Sequence, residues 1–240
     1  MRINKPSIVL VRPQLPENIG MVARAMDNCG LENLILVSPR NKWPNQIAIN
    51  AAANSKVIFK KIKVFDSLNE ALFKFNYVVA TSNRKRFLNK PTGNNFNYLF
   101  KQMYSSEKTC IVFGPENSGL SNKDLLLCDY IFNIELSNSN TSLNLSHAVL
   151  ILAYKWREFY LSSKKINKPI IKNKLATKKE FNFFMNYLKI QLEEVGFLYP
   201  KQKSQSMFNN IQAMLLRTNL SKVEINTLWG MIKKLKNVPK

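Results

Sequence analysis

The chain has 240 residues, of which 45% are hydrophobic, so it can bury a full core and is not disordered as a whole. Its 36 Lys and Arg residues against 15 Asp and Glu give a formal net charge of +21, and we expect a polyanionic partner, nucleic acid above all. No apolar run reaches the roughly 18–20 residues that cross a bilayer, and the N-terminus lacks a secretory pattern. We therefore expect a cytoplasmic protein with no membrane partner.

The cysteines and the histidine argue against a metal site. Cys29, Cys110 and Cys128 are odd in number and show no CxxC spacing, which disfavours disulfides and zinc alike. His147 is the only histidine, so it cannot supply a histidine cluster, and no nucleophile for a His-dependent triad can be identified. We expect buried structural thiols, a structural histidine and no metal.

Short apolar runs alternate with helical patterns through the first 160 residues. Because helices of this length separate the strands, right-handed crossovers and a mainly parallel α/β sheet are predicted. Strands are predicted at 8–11, 34–37, 57–64, 77–81, 109–113 and 130–134. Helices are predicted near 18–29, 45–54, 67–74, 96–104 and 121–127, with a long one from about 142 to 160.

The C-terminal part lacks the alternation of strands and helices. Residues 161–176 are rich in Lys and Asn and lack an apolar period, which predicts a basic linker after a domain at 1–160. Apolar residues then recur at helical spacing, so 177–240 is predicted to form three helices, the first of them closed by Gly196. Residues 155–240 carry 18 basic and 5 acidic side chains, and this part is the more basic one.

The first helix opens with a polar segment directly after the first strand, at the edge where parallel sheets bind ligands. It contains Asn18, Gly20 and Arg24, and a single glycine is too few for a dinucleotide-binding loop. Gly20 permits another backbone to approach closely. A solvated charge on the helix face is the ordinary alternative for Arg24, but its apolar neighbours favour a setting that is not wholly exposed.

The turn after the fifth predicted strand places Glu116 between Gly114 and Gly119. The two glycines supply backbone freedom, and such a turn can present N–H groups to a ligand. Ser121 has the spacing of a capping box, so the next helix is predicted to begin there. The local sequence supports two roles for Glu116 equally, a cap of that helix and a residue of a binding site.

Two further polar segments lie at predicted strand ends. Residues 138–147 form a polar entry to a buried helix, where Ser142 could be a simple N-cap, although Asn144 suggests more than capping. Residues 81–83 are small and polar, which suits an adenosine-like ligand. The cations that follow them suit phosphates, with a solvated loop as the alternative. The predicted RNA contacts are Arg84, Lys85, Arg86 and, after the first strand, Arg12.

Three of these segments together resemble the motifs of the SpoU (TrmH) class of SPOUT RNA methyltransferases. The matching segments are Asn18-x-Gly20-x3-Arg24, Gly114-Pro115-Glu116-x2-Gly119-Leu120 and Ser142-Leu143-Asn144-Leu145-Ser146, in the family's order and spacing. Residues 192–230 are similar to the tail of the TrmJ-type branch, which modifies tRNA ribose. The resemblance thus extends over nearly the whole chain.

This resemblance implies an α/β domain with a deep C-terminal trefoil knot, a homodimer, and a helical RNA-binding extension. It implies S-adenosyl-L-methionine as cofactor and methyl transfer to a tRNA ribose 2′-hydroxyl, on cytidine or uridine at position 32 of the anticodon loop. Ribosomal RNA as substrate, or a non-catalytic RNA-binding knot protein, are the alternatives.

The resemblance also assigns roles to residues. Arg24 could act as general base or, since a guanidinium keeps its proton, as stabiliser of the nascent alkoxide, and it could reach across the dimer. The implied catalytic residues are Arg24, Asn18, Glu116, Ser142 and Asn144. The implied cofactor contacts are Thr81, Ser82, Asn83, Gly114, Glu116, Ile134, Ser142, Leu143 and Asn144.

Overall fold

Seven parallel strands form one sheet. The computed structural model describes residues 5–53, 55–84, 90–137, 142–163 and 175–236. The strand order is β3-β2-β1-β6-β4-β7-β5, and every described pair is parallel, which confirms the predicted α/β sheet. The strands are β1 Ser7–Val11, β2 Leu34–Val37, β3 Lys63–Phe65, β4 Tyr77–Thr81, β5 Thr92–Gly93, β6 Thr109–Phe113 and β7 Tyr130–Phe132.

Among the described residues, six helices lie between strands along the chain and four more follow the last strand. The helices between strands are α1 Pro16–Asn28, α2 Gln46–Ala51, α3 Lys56–Phe59, α4 Leu68–Leu72, α5 Phe96–Ser105 and α6 Asn122–Leu126, and the first helix after β7 is α7 Leu145–Ser163. The C-terminal helices are α8 Lys178–Glu194, α9 Lys201–Arg217 and α10 Lys222–Lys236. The implied knot stays a prediction, as does the 161–176 linker, of which residues 164–174 lie outside the described ranges.

The central strands are buried on both faces, which explains their continuous apolar runs. Successive side chains point to opposite faces of a strand, so Ile8 and Leu10 pack with α1 and α7 while Val9 and Val11 pack with α4 and α6. The three cysteines are free and buried, as predicted. Burial raises the pKa of Cys128 to about 12, so this thiol is inert at neutral pH.

The predicted strand at 57–64 is wrong. This apolar run is divided between the short helix α3, which buries Ile58, and the edge strand β3, where Val64 is 44% exposed. A short apolar run has no clear periodicity, so the sequence pattern could not separate a helical turn from a strand. The predicted long helix begins at Leu145 rather than near 142 and continues to Ser163.

The C-terminal helices pack on one another, as predicted, and dock against the amino end of β4. Within them Trp229 stacks on Tyr187 with ring centroids 4.7 Å apart. Lys178 forms a buried ion pair with Asp129, and its backbone N–H donates to the carbonyl of Phe75 at 2.9 Å. This docking ties the basic extension to the sheet. No helix in the described ranges is both long and apolar enough to span a membrane.

Helix α8 ends as its sequence predicts. Gly196 takes a φ of +73°, and its N–H donates to the carbonyl of Glu193 while the N–H of Phe197 donates to that of Leu192. These two bonds form a Schellman motif, which satisfies the free carbonyls of the last turn.

Candidate active site

A cavity of about 360 Å³ opens at the carboxyl ends of β4, β6 and β7. This volume lies within the range of small-molecule sites, about 300–1,000 Å³, and this edge of a parallel sheet is where ligands bind. Apolar rings and polar loop residues share the wall. It is lined by Thr81, Ser82, Asn83, Arg84, Phe113, Gly114, Pro115, Glu116, Asn117, Gly119, Phe132, Ile134, Ser142, Leu143, Leu145 and Ala148.

The turn after β6 folds back tightly on itself. A Cβ on Gly114 would lie 2.3 Å from the backbone nitrogen of Leu120, so no other residue fits there without movement of the backbone. Gly119 has a φ of +65°, a conformation that favours glycine. The α6 helix is capped by a capping box of Ser121 and Asp124. Since this cap is supplied by Ser121, the structure excludes the capping role for Glu116.

We expect Gly114→Ala to lower the free energy of unfolding by about 1–3 kcal/mol, because its methyl group meets fixed backbone. Gly230 is the matched control. It lies exposed within α10 and a Cβ there meets nothing within 4 Å, so Gly230→Ala should raise that free energy by up to about 1 kcal/mol. Urea unfolding of both variants checks the pair. Equal effects of the two substitutions would contradict the tight turn.

A chain of hydrogen bonds connects the three motifs beside this cavity. Glu116 Oε1 accepts from Asn18 Nδ2 at 2.7 Å, and Glu116 Oε2 accepts from the backbone N–H of Gln14 at 2.9 Å. Asn18 Oδ1 accepts from Asn144 Nδ2 at 3.1 Å, and Asn144 Oδ1 accepts from Ser146 Oγ at 2.7 Å. Asn18 is 2% exposed, so its amide is held in one orientation by a donor partner and an acceptor partner.

The structure brings most of the predicted cofactor contacts together. Eight of the nine line the cavity, and the ninth, Asn144, is hydrogen-bonded to Asn18 beside it. At the end of β4 the hydroxyl of Thr81 donates to the carbonyl of Val112 at 3.1 Å, and the N–H of Ser82 donates to that of Phe132 at 3.1 Å. These bonds hold the 81–84 loop against β6 and β7. Whether these residues bind the cofactor stays a prediction.

Several residues of this site were missed by the sequence reasoning. Gln14 holds Glu116 through its backbone, and a backbone donor leaves no signal in the side-chain pattern. The others lie next to predicted residues in the turn, at the ends of strands, or along α7, so extending the predicted set by a few positions would have found them. They are Phe113, Asn117, Phe132 and Ala148. Pro115, Gly119 and Leu145 belong to the quoted motifs and also line the cavity, although no cofactor contact was assigned to them.

Arg24 does not line this cavity in its own chain. It is exposed, contrary to the partly buried setting that its apolar neighbours indicated. Helix α1 packs against α2 on one side, where a Cβ on Gly20 would lie 2.3 Å from the carbonyl oxygen of Ala48, and against α7 on another. Those two contacts bury residues on either side of Arg24, and they leave Arg24 and Met21 on the outer face of the helix.

The predicted RNA contacts fall in different settings. Arg84 lines the cavity, whereas Lys85 and Arg86 lie outside the described residues. The guanidinium of Arg12 pairs with Asp124 and ties the end of β1 to α6. Although burial opposes it, hydrogen bonds from Arg12 and Ser121 hold the pKa of Asp124 below its usual range. The structure thus gives Arg12 a structural partner, and its RNA contact stays a prediction.

The same region that builds this site matches a known family. The family model described as "SpoU rRNA Methylase family" matches residues 5–154. The chain belongs to the SpoU methylase family. That match ends within α7, so the residues that form the sheet, the cavity and the three motifs lie within the matched range, while α8–α10 lie beyond it.

Relatives of this SpoU family member extend the similarity to the C-terminal helices. An "Uncharacterized tRNA/rRNA methyltransferase" of Haemophilus influenzae is 33% identical and covers 94% of the chain and 92% of that protein. The tRNA (cytidine/uridine/adenosine-2'-O-)-methyltransferase TrmJ of Pseudomonas aeruginosa is 30% identical, and the alignment covers 98% of the chain and 95% of that protein. The crystal structure of TrmJ from Z. mobilis superposes with a TM-score of 0.86 at 32% identity, and the superposition covers 98% of the chain and 100% of that structure.

Among the described residues no group of three or more His, Cys, Asp and Glu side chains is placed to hold a metal ion.

Proposed function

We propose that the chain is an S-adenosyl-L-methionine-dependent tRNA 2′-O-ribose methyltransferase that acts in the cytoplasm on cytidine or uridine, at position 32 of the anticodon loop. The relatives named TrmJ support the reaction and the substrate class. The observation that carries the proposal is the hydrogen-bond chain Glu116–Asn18–Asn144, because it joins all three SpoU motifs beside one cavity.

The residues around the cavity fit the cofactor. Backbone comes close to the wall at Gly114, where a side chain would collide, and the rings of Phe113 and Phe132 lie beside small polar groups. When bound, S-adenosyl-L-methionine supplies an electrophilic methyl group on a sulfonium centre. The residues that would hold it are Thr81, Ser82, Asn83, Gly114, Ile134, Ser142 and Leu143.

The side chains beside the cavity serve alignment rather than proton transfer. Both oxygens of Glu116 are engaged by N–H donors, so this carboxylate organises the loop of Gln14 and Asn18. Asn144 holds the other side of the Asn18 amide. A methyl donor that is already activated needs its acceptor oxygen held in line and the developing alkoxide stabilised. A fixed positive charge would stabilise the developing alkoxide, and Arg24 is the candidate for that charge.

Arg24 is exposed and does not line the cavity of its own chain, which supports a homodimer. Exposed apolar side chains accompany it on the outer faces of α1 and α7: Met21 is 41% exposed, Leu150 41% and Tyr154 52%. Leu150 and Tyr154 are four residues apart and share one helix face. We propose that a second copy of the chain covers this face and receives Arg24.

The basic extension supplies the grip on tRNA in this proposal. Helices α8–α10 are fixed to the sheet through Lys178 and Asp129, so their cations keep a set position relative to the cavity. Each phosphate neutralised by such a cation releases counterions, and tRNA binding should therefore weaken steeply with salt.

Incubation of the full chain with methyl-labelled S-adenosyl-L-methionine and unmodified tRNA transcripts tests the function. We expect label on one ribose of the anticodon loop, mapped by resistance to alkaline cleavage, and none on a transcript with a 2′-deoxynucleotide at that position. Label on ribosomal RNA fragments but not on tRNA would move the reaction to the alternative substrate, and label on neither would contradict it.

A further inference from the structure

A second cavity lies at the opposite end of the sheet from the candidate active site. It has a volume of about 280 Å³ and forms where β1, β2, β3 and β6 begin. Strands of five residues rise about 3.3 Å per residue, so roughly 15 Å of sheet separates the two cavities. Among the described residues, none lines both of them.

Lysines dominate the wall of this cavity. Lys63 is the first residue of β3, Lys108 directly precedes β6, and Lys74 lies three residues before β4, so the sheet topology gathers cations that are far apart in the sequence. One carboxylate side chain, that of Glu107, lines the cavity with them. The two remaining lysines in the wall are Lys5 and Lys61.

Three of these charges are not balanced within the protein as described. Glu32 pairs with the two remaining lysines, 2.6 Å from one Nζ and 3.5 Å from the other. Within the described ranges no carboxylate pairs with Lys63, Lys74 or Lys108. Partial desolvation, and then the charges of Lys63 and Lys108, hold the pKa of Lys74 below its usual range. The three ammonium groups repel one another, and an anion between them would relieve that repulsion.

A buried hydroxyl in the same wall also lacks a partner. Thr109, the first residue of β6, is 3% exposed, and within the described residues its Oγ1 makes no hydrogen bond. Buried polar groups are ordinarily hydrogen-bonded. The backbone next to it is fixed, because Asn76 N–H donates to the carbonyl of Lys108 at 2.8 Å and Lys108 N–H donates to Asn76 Oδ1 at 3.2 Å. The wall of this cavity thus combines lysine side chains with a hydroxyl that has no hydrogen-bond partner among the described residues, and its backbone is rigid.

We propose that this cavity binds a phosphate group, either of a free nucleotide or of an RNA backbone. Ammonium groups attract phosphate as point charges, and a hydroxyl adds a directed hydrogen bond to one of its oxygens. The site is independent of methyl transfer, because the phosphate it takes is about a strand length away from the candidate active site.

Calorimetric titration of the full chain with pyrophosphate tests the site. Lys74→Gln is expected to weaken pyrophosphate binding at least tenfold. Lys101→Gln removes the same charge from the exposed face of α5 and should leave the affinity within twofold of wild type. Thr109→Val removes the hydroxyl without a change of charge and should weaken binding several-fold. The proposal would be overturned if the Lys74→Gln protein bound pyrophosphate as tightly as the Lys101→Gln protein does. It would also be overturned if Thr109→Val left the affinity for pyrophosphate unchanged, because binding would then reflect only the general positive charge of the surface.

Thermal unfolding without ligand separates a binding role from a structural one. Without pyrophosphate, the Lys74→Gln protein should melt at or above the wild-type temperature, because the substitution removes a charge that its neighbours repel. With pyrophosphate present, the melting temperature of the wild type should rise and that of Lys74→Gln should not. A Lys74→Gln protein that melts lower in the absence of pyrophosphate would overturn the assignment.

Competition identifies the source of the phosphate. If RNA supplies it, unmodified tRNA displaces pyrophosphate, and Lys74→Gln binds tRNA more weakly than Lys101→Gln does. If a nucleotide supplies it, ATP displaces pyrophosphate while tRNA does not. Displacement by neither would overturn the proposal.

Discussion

Replacement of Arg24 by alanine is expected to slow methyl transfer to tRNA about 100- to 1,000-fold, the usual effect of removing one group that stabilises charge in a transition state. Within its own chain Arg24 is exposed and pairs with no carboxylate among the described residues, so the free energy of unfolding of the single subunit should change by less than about 0.5 kcal/mol. Single-turnover kinetics and urea unfolding measure the two quantities. Arg24→Lys retains the positive charge and should recover part of the rate.

Mixing experiments determine whether Arg24 acts across a dimer. The second variant is Leu143→Trp, which fills the cavity but keeps Arg24. When equal amounts of the Arg24→Ala and Leu143→Trp proteins exchange subunits, a mixed dimer contains one complete site, and about a quarter of the wild-type rate should return. Two inactive parents that stay inactive after mixing would place Arg24 in the site of its own subunit.

Replacement of Asn18 by aspartate is expected to lower the free energy of unfolding by about 2–3 kcal/mol and methyl transfer at least tenfold. The change is nearly isosteric, but it puts a second carboxylate 2.7 Å from Glu116 Oε1, where the Asn18 amide now donates. Protonation of either carboxylate relieves this repulsion. The pKa of the introduced aspartate is therefore raised in the folded protein. The loss of stability should be complete at about pH 8 and should become smaller as the pH falls toward about 5.

Glu116→Gln supplies the control for that substitution. When both substitutions are combined, the new amide at position 116 can donate to the new carboxylate at position 18. Its carbonyl still accepts from the N–H of Gln14, so the donor and acceptor of the pair are exchanged. We expect the double variant to regain most of the lost stability and to lose the pH dependence. Additive losses in the double-mutant cycle would show that Asn18 and Glu116 are not coupled.

The sequence predicted the strands and helix caps around the candidate site well wherever the signal was local. The runs before Glu116 and before Thr81 were placed as strands with the bounds that the structure gives, because both are short, apolar and followed by turn residues. Ser121 and Gly196 were placed at helix ends for the same reason: a cap depends on residues within four positions along the chain. The motifs could therefore be assigned to one edge of a parallel sheet from the sequence.

Contacts between distant segments decided the rest. Two roles for Glu116 were equally supported by its turn, and only the approach of Gln14 and Asn18, about 100 residues away, showed which groups its two oxygens bind. Arg24 has apolar neighbours in sequence, yet it is exposed because α2 and α7 cover other faces of its helix.

Composition, local propensity and motif spacing thus determined the fold class, the caps, the family resemblance and the place of the site. The tertiary structure alone decided which polar atoms face one another. It joined Asn18 to Glu116 and Asn144, and it gathered Lys63, Lys74 and Lys108 around a second cavity. Charge and hydrogen-bond energies depend on distances of a few ångströms between segments that are remote in the chain, and residue order does not set those distances before the sheet is assembled.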